Sequence, residues 1–188
     1  FAEEEGSLLA FLPGLAEIER TAERLDRLPD DVDVHRLHGA LDPAEQRAAI
    51  APSPRGRRKL VLATSIAETS ITIDGLRIVV DSGLARRPRY DRAAGMTQLV
   101  TERASQAAVT QRAGRAGRTQ PGVCVRLWDE LGHRSRAEQA EPEIRRVDLC
   151  GAVLQLLALG EVALGAQVLH LAAPGVAAGH HPHAAVLL

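Results

Sequence analysis

Aromatic side chains are almost missing from these 188 residues: Phe1, Phe11, Tyr90 and Trp128 are the whole set. A core has to be assembled from Leu, Val, Ile and Ala. Lysine is scarcer still, with Lys59 alone among the basic residues and arginine everywhere else. Richness in arginine therefore reflects a compositional bias and does not by itself indicate nucleic-acid binding. Cysteine appears twice, Cys124 in an apolar strand-like run and Cys150 in an apolar helix-like run. That usage excludes a disulfide framework and predicts two buried, reduced thiols in a cytoplasmic protein. No apolar run reaches membrane-spanning length and no signal peptide is evident, so no membrane partner is expected. Internal repeats are also lacking.

What is present suffices for one α/β domain and part of another. The formal charge is -1 but unevenly spread. Residues 1–35 carry ten carboxylates against Arg20, Arg24 and Arg27, whereas residues 81–118 carry eight arginines against Asp81, Asp91 and Glu102. A basic sector on a near-neutral domain is a candidate anion or nucleic-acid face.

The densest stretch is Gln111-Arg112-Ala113-Gly114-Arg115-Ala116-Gly117-Arg118. At helical spacing Arg115 and Arg118 share one side of a turn, where two guanidinium forks can converge on one anion. Gln111, one turn ahead of Arg115, can orient a water or touch a phosphate. Glycine inside a helix costs roughly 1 kcal/mol, so Gly114 and Gly117 suggest a close backbone approach. The plainer alternative is a solvated basic helix.

Periodicity orders the rest. Ser7–Leu12 predicts a buried strand closed by Pro13-Gly14. Leu15, Ile18, Ala22, Leu25 and Leu28 fall on one face of a helix over 15–28. Val34–His38 is a second strand. Asp42, Pro43 and Glu45 make a capped helix start, and that helix runs to about Ala51. Lys59–Thr64 and Leu76–Val80 are near-continuous apolar strands of the kind buried on both faces of a parallel sheet. The polar loop between them, 65–75, stands where open α/β sheets place ligand contacts. Arg86–Asp91 and Met96–Thr101 form a hairpin whose arginines Arg86, Arg87, Arg89 and Arg92 project from the domain. A helix from about Ser105 carries the arginine turn and stops at Pro121-Gly122, and Val123–Trp128 is the last core strand. Residues 129–146 are charged and loop-like, and Val147–Leu159 is an amphipathic helix. His180, His181 and His183 lack a second ligand cluster and read as a terminus, with no metal site expected.

The fold class is thus α/β: an open parallel sheet with flanking helices and an inserted β-hairpin, followed by a short helical segment. The expected division is 1–135 for the sheet domain and 136–188 for the helical segment.

These residues resemble the second RecA-like domain of DEAH-type superfamily 2 helicases, most closely the HrpB-like ATP-dependent RNA helicases. Phe11-Leu12-Pro13-Gly14 resembles motif IV, and Leu37–Gln46 is similar to motif IVa. The run from Ala63 to Gly75 matches motif V almost letter for letter, and Gln111–Arg118 matches motif VI. Tyr90–Leu99, with Gly95-Met96, resembles the strand-separating hairpin. Residues 142–159 resemble the start of a winged-helix region.

By position, the resemblance implies catalytic roles for Arg115 and Arg118 as arginine fingers on the γ-phosphate and for Gln111 near the attacking water. It implies cofactor contacts from Ser70, Thr72 and Asp74, and nucleic-acid contacts from Thr64, Arg87 and Arg89. It further implies ATP and Mg2+ as cofactors, RNA as a partner at a single strand or duplex junction, and a first RecA-like domain of the same chain. That domain would supply the phosphate loop and metal carboxylates, because neither G-x-x-x-x-G-K-[ST] nor Asp-Glu-x-His occurs in these residues. The chain opens on Phe1 and its single methionine is Met96, so it reads as part of something longer. One departure stands out: Ile50 and Ala51 lie where the family often has an adenine-stacking aromatic, which implies weak adenine recognition from this side. Two alternatives compete. A non-catalytic RecA-like nucleic-acid-binding or scaffold domain is disfavoured by the intact Gln111, Arg115 and Arg118. A DNA translocase of the same superfamily is disfavoured by the Ala-Glu-Thr-Ser run and the hairpin.

Overall fold

Four β-strand pairings, all parallel, build the sheet that the apolar runs predict. The computed structural model describes residues 5–172 except 26, 70, 92, 119 and 120, and the backbone alone for 169–172. The strands are β1 (Ser7–Phe11), β2 (Val32–Leu37), β3 (Arg58–Ala63), β4 (Leu76–Asp81) and, after the hairpin strands β5 (Leu84–Asp91) and β6 (Met96–Arg103), β7 (Val123–Arg126). Their order is β2-β3-β1-β4-β7. In register, Leu9 meets Val61 on one side and Val79 on the other.

Alternation along the central strands sorts the core into two faces. Leu9, Phe11, Val61, Ala63 and Val79 point to the face that also buries Ala49, Ala67, Ile73 and Ala116. Leu8, Leu60, Leu62 and Ile78 point to the opposite face and cover Ile18. Strand parity thereby brings the polar loop after β3 and the arginine turn onto the same side of the sheet.

Helix α1 (Leu15–Glu23) buries Ile18. It ends five residues short of the predicted Leu28, while Leu25 and Leu28 still pack against the second face from irregular chain. Helix α2 (Pro43–Ile50) starts as predicted, with Asp42 Oδ1 accepting from Ala44 N at 2.8 Å and Glu45 N at 2.9 Å. Lys59 closes its other end. The ammonium is buried and donates to the carbonyls of Ala48 at 2.7 Å and Ala51 at 2.5 Å, satisfying acceptors that a helix C-terminus leaves unpaired.

Helix α3 (Gln106–Ala113) is shorter than predicted. It stops at Gly114, and residues 114–117 continue as turns. Helix α4 (Glu130–Arg134) follows β7, N-capped by Asp129. The chain then forms α5 (Cys150–Ala158) and α6 (Val162–Ala172), the latter without counterpart in the sequence reading. Cys150 is exposed at the start of α5, which corrects the expectation of a buried thiol, whereas Cys124 is half-buried in β7. The predicted histidine terminus, 180–183, lies outside the described residues.

Two compact units result. One comprises the chain up to Arg87 together with Val100–Ala140; the other comprises Pro88–Leu99 and the chain from Glu141 onward. In the second unit Tyr90 N donates to Arg146 O at 2.6 Å. Arg146 Nη1 donates to Pro88 O at 3.3 Å, and Arg89 lies 3.6 Å from Glu141. The outer half of the hairpin is thus fastened to the segment around Arg146 and does not stand free.

Candidate functional site

Three arginines three residues apart take three different courses, because α3 ends between the first and the second. Arg112 is still helical and is 1% exposed. Arg115 sits in the following turn, its N–H donating to Arg112 O at 3.1 Å, and is half-buried. Arg118 is exposed. The two intervening glycines do not mark a close backbone approach. A Cβ on Gly117 would meet open space, and one on Gly114 would make only ordinary contacts. Gly114 serves as the helix C-cap. The close approach is at Gly122, where a Cβ would collide with the carbonyl oxygens of Ala116 and Arg77.

Arg115 reaches across to the loop after β3. Its Nη1 donates to Ile71 O at 2.8 Å and its Nη2 to Glu68 O. Burial lowers its proton affinity first, and the neighbouring Arg118 charge lowers it further, with Glu68 opposing. Arg115, Arg118 and Thr72 line one hollow together with Ile71, above the buried side chains of Leu9, Ala67, Ile73 and Leu76. Two guanidiniums on a common concavity repel each other, and an anion between them turns both interactions favourable. The arrangement fits a phosphate group: one fork fixed by backbone carbonyls, one exposed, and a hydroxyl beside them.

Of the other residues singled out in the sequence, Gln111 is exposed on the last turn of α3 and is not among those lining the hollow. Asp74 is exposed in the turn that Gly75 closes at a φ of 66°. Ser70 lies outside the described residues. Thr64 is half-buried directly after β3, its N–H donating to Leu37 O at 3.1 Å. Arg87 is 3.5 Å from Glu102 in the hairpin, and Arg89 is the partner of Glu141 already described. The structure therefore gathers Thr72, Arg115 and Arg118.

Residues 1–120 match the helicase conserved C-terminal domain family. The chain belongs to this family. It is 51% identical over 159 residues to the ATP-dependent RNA helicase HrpB of Escherichia coli, covering 84% of this chain and 20% of HrpB. It is 46% identical over 157 residues to the probable ATP-dependent RNA helicase DHX34 of Homo sapiens, covering 82% of this chain and 14% of that protein. A crystal structure of the E. coli DExH-box NTPase HrpB superposes with a TM-score of 0.77 at 45% identity, covering 90% of this chain and 23% of that one. The chain thus spans about a fifth of the length of HrpB.

Two features of this helicase domain escaped the sequence reading. Arg112 joins Glu68 and Asp81 in a buried ion-pair cluster. The signal was there, since an aspartate ending an apolar strand needs a buried cation, but sequence did not say which arginine answers it. Arg136 is also buried. It donates to Gly83 O at 2.7 Å and Ala104 O at 3.0 Å, with its guanidinium 4.1 Å from the Trp128 ring centre. Nothing in the charged run 129–146 distinguished it from its exposed neighbours.

Proposed function

We propose that this chain is the second motor domain of an ATP-dependent RNA helicase, the part that brings arginine fingers to ATP bound on a first RecA-like domain. The supporting observation is the convergence of Arg115, Arg118 and Thr72 on one hollow, with Arg115 docked on the loop after β3. ATP supplies the phosphoryl group; carboxylates of the first domain would hold Mg2+, which would neutralise part of the phosphate charge. In this reading Arg115 and Arg118 stabilise the charge on the transferred oxygens when the cleft between the two domains closes, and in the open state the fingers are withdrawn. Gln111 helps place the attacking water. Contacts to the nucleotide are assigned to Ser70, Thr72 and Asp74. Thr64, Arg87 and Arg89 contribute to an RNA track, so that closure and opening move the strand. Among the described residues no helix is long and apolar enough to cross a membrane. The cytoplasm as setting is part of the proposal.

Single-turnover ATP cleavage by the full-length helicase at saturating RNA tests this. Arginine fingers are worth about 10³ to 10⁵ in rate, so Arg118→Ala should slow cleavage by that order and leave RNA affinity within a few-fold. Arg118 is the cleaner probe, because it is exposed, whereas Arg115→Ala also strips two backbone carbonyls of their donors. Near wild-type cleavage in both variants, with RNA binding collapsed, would show a basic RNA contact in place of fingers.

A further inference from the structure

Arg112 has no part in the reaction scheme above, yet it is the largest side chain among the fully buried ones. Removing a guanidinium from water is costly unless its donors are all met. Here each of the three guanidinium nitrogens finds an acceptor, supplied by Glu68, Asp81 and Leu84. Nε and Nη2 donate to Glu68 Oε1 at 2.8 Å and 2.6 Å. Nη1 donates to Asp81 Oδ1 at 2.8 Å and to Leu84 O at 3.1 Å. The Phe11 ring centre lies 4.9 Å from the guanidinium carbon.

Glu68 is the residue through which this cluster reaches the hollow. Its carboxylate takes two donors from Arg112, and its backbone carbonyl takes Nη2 of Arg115. The second anchor of Arg115, the Ile71 carbonyl, lies three residues further along the same loop. Arg112 therefore grips the side chain of a residue whose main chain grips Arg115.

We propose that Arg112 is a positioning residue for Arg115: by holding Glu68 it fixes the carbonyls that aim the Arg115 fork. The proposal rests on the reading that Arg115 meets the transferred phosphate. A misplacement of about 1 Å in such a group costs on the order of 10²-fold in rate, so a buried clamp one residue removed is a place where rate is set without touching the substrate.

The test uses the full-length helicase. Glu68→Ala leaves the backbone carbonyl in place but removes the carboxylate that Arg112 holds. Expected is a loss on the order of 10²-fold in kcat with KM for ATP unchanged, since fingers act on the transition state. Glu68→Gln keeps an oxygen acceptor and should recover most of the rate. A second variant, Arg112→Met with Glu68→Leu and Asp81→Asn, replaces the buried charges by neutral side chains, which commonly preserves folding. It should melt near the wild-type temperature and still cleave slowly. A cluster that only stabilises the fold predicts the reverse: folded variants, whatever their melting temperature, with wild-type kcat. That result in either the Glu68→Ala or the triple variant would overturn the proposal. Arg115→Ala, measured alongside, separates the two levels. Fast cleavage by Arg115→Ala defeats the finger reading itself, whereas slow Arg115→Ala with fast Glu68→Ala defeats only the positioning role.

Discussion

Lys59 shows how one side chain can close a helix from a strand. Its buried ammonium caps the carbonyls of Ala48 and Ala51 at the end of α2. Lys59→Met keeps the length and loses these charge-assisted bonds, so urea denaturation of the chain should show a loss of about 1.5 to 3 kcal/mol. An unchanged midpoint would mean that water caps the helix equally well. His35, on the neighbouring strand β2, gives a pH signature. Burial holds its pKa below the ordinary value, the Lys59 charge adds to this, and Asp33 opposes. As pH falls through about 6.5, the unfolded chain takes up this proton before the folded one does. Stability contributed by neutral His35 is therefore present above that pH and declines below it, levelling once the folded imidazole also protonates. Urea midpoints at pH 8 and pH 5 should differ less in His35→Gln than in the wild type. Equal pH dependence in the two would assign the slope to other groups.

At the scale of elements, the hairpin separates into an inner half and an outer half. The inner half carries Arg86 and Arg87, which pair with Glu17 at 3.7 Å and Glu102 at 3.5 Å. The outer half, Pro88–Leu99, shares a unit with the chain from Glu141 onward. Replacing Pro88–Leu99 by a short glycine bridge leaves the inner ion pairs and the arginine turn untouched. In the full-length helicase this deletion should abolish duplex separation while RNA-stimulated ATPase stays within about tenfold, because no finger residue is removed. Parallel loss of both activities would identify the hairpin as a structural brace. Assayed together with Arg118→Ala, the deletion distinguishes a strand-separating element from a catalytic one.

For the whole molecule, the proposed finger role has one consequence: Arg115 and Arg118 would form one wall of a site that needs two. Given ATP, Mg2+ and RNA, the purified 188-residue chain should release no phosphate above the uncatalysed background. Phosphate release that disappears with Arg115→Ala would show that this domain holds a complete site. The loss expected is the entire enzymatic acceleration, since arginines stabilise a transferred phosphoryl group only where another surface has already bound and oriented it.

Strand parity, the Asp42-Pro43 helix start, the hydroxyl-rich loop and the arginine run were all determined by the sequence itself. Each is a local pattern: alternation at a period of two, a cap two or three residues from the N–H groups it accepts, or a spacing repeated within one short stretch. The family resemblance rests on the same short stretches. What each arginine does was decided only by tertiary structure. Arg112 meets Glu68 and Asp81 across 44 and 31 residues of chain, and no local spacing encodes which distant carboxylate a guanidinium reaches. The end of α3 at Gly114 sends identical residues three apart into the core, to the loop after β3 and to solvent. The exposure of Cys150 and the burial of Arg136 have the same origin. A side chain's surroundings follow from which segments the sheet order brings beside it, and that order is a property of the packed chain.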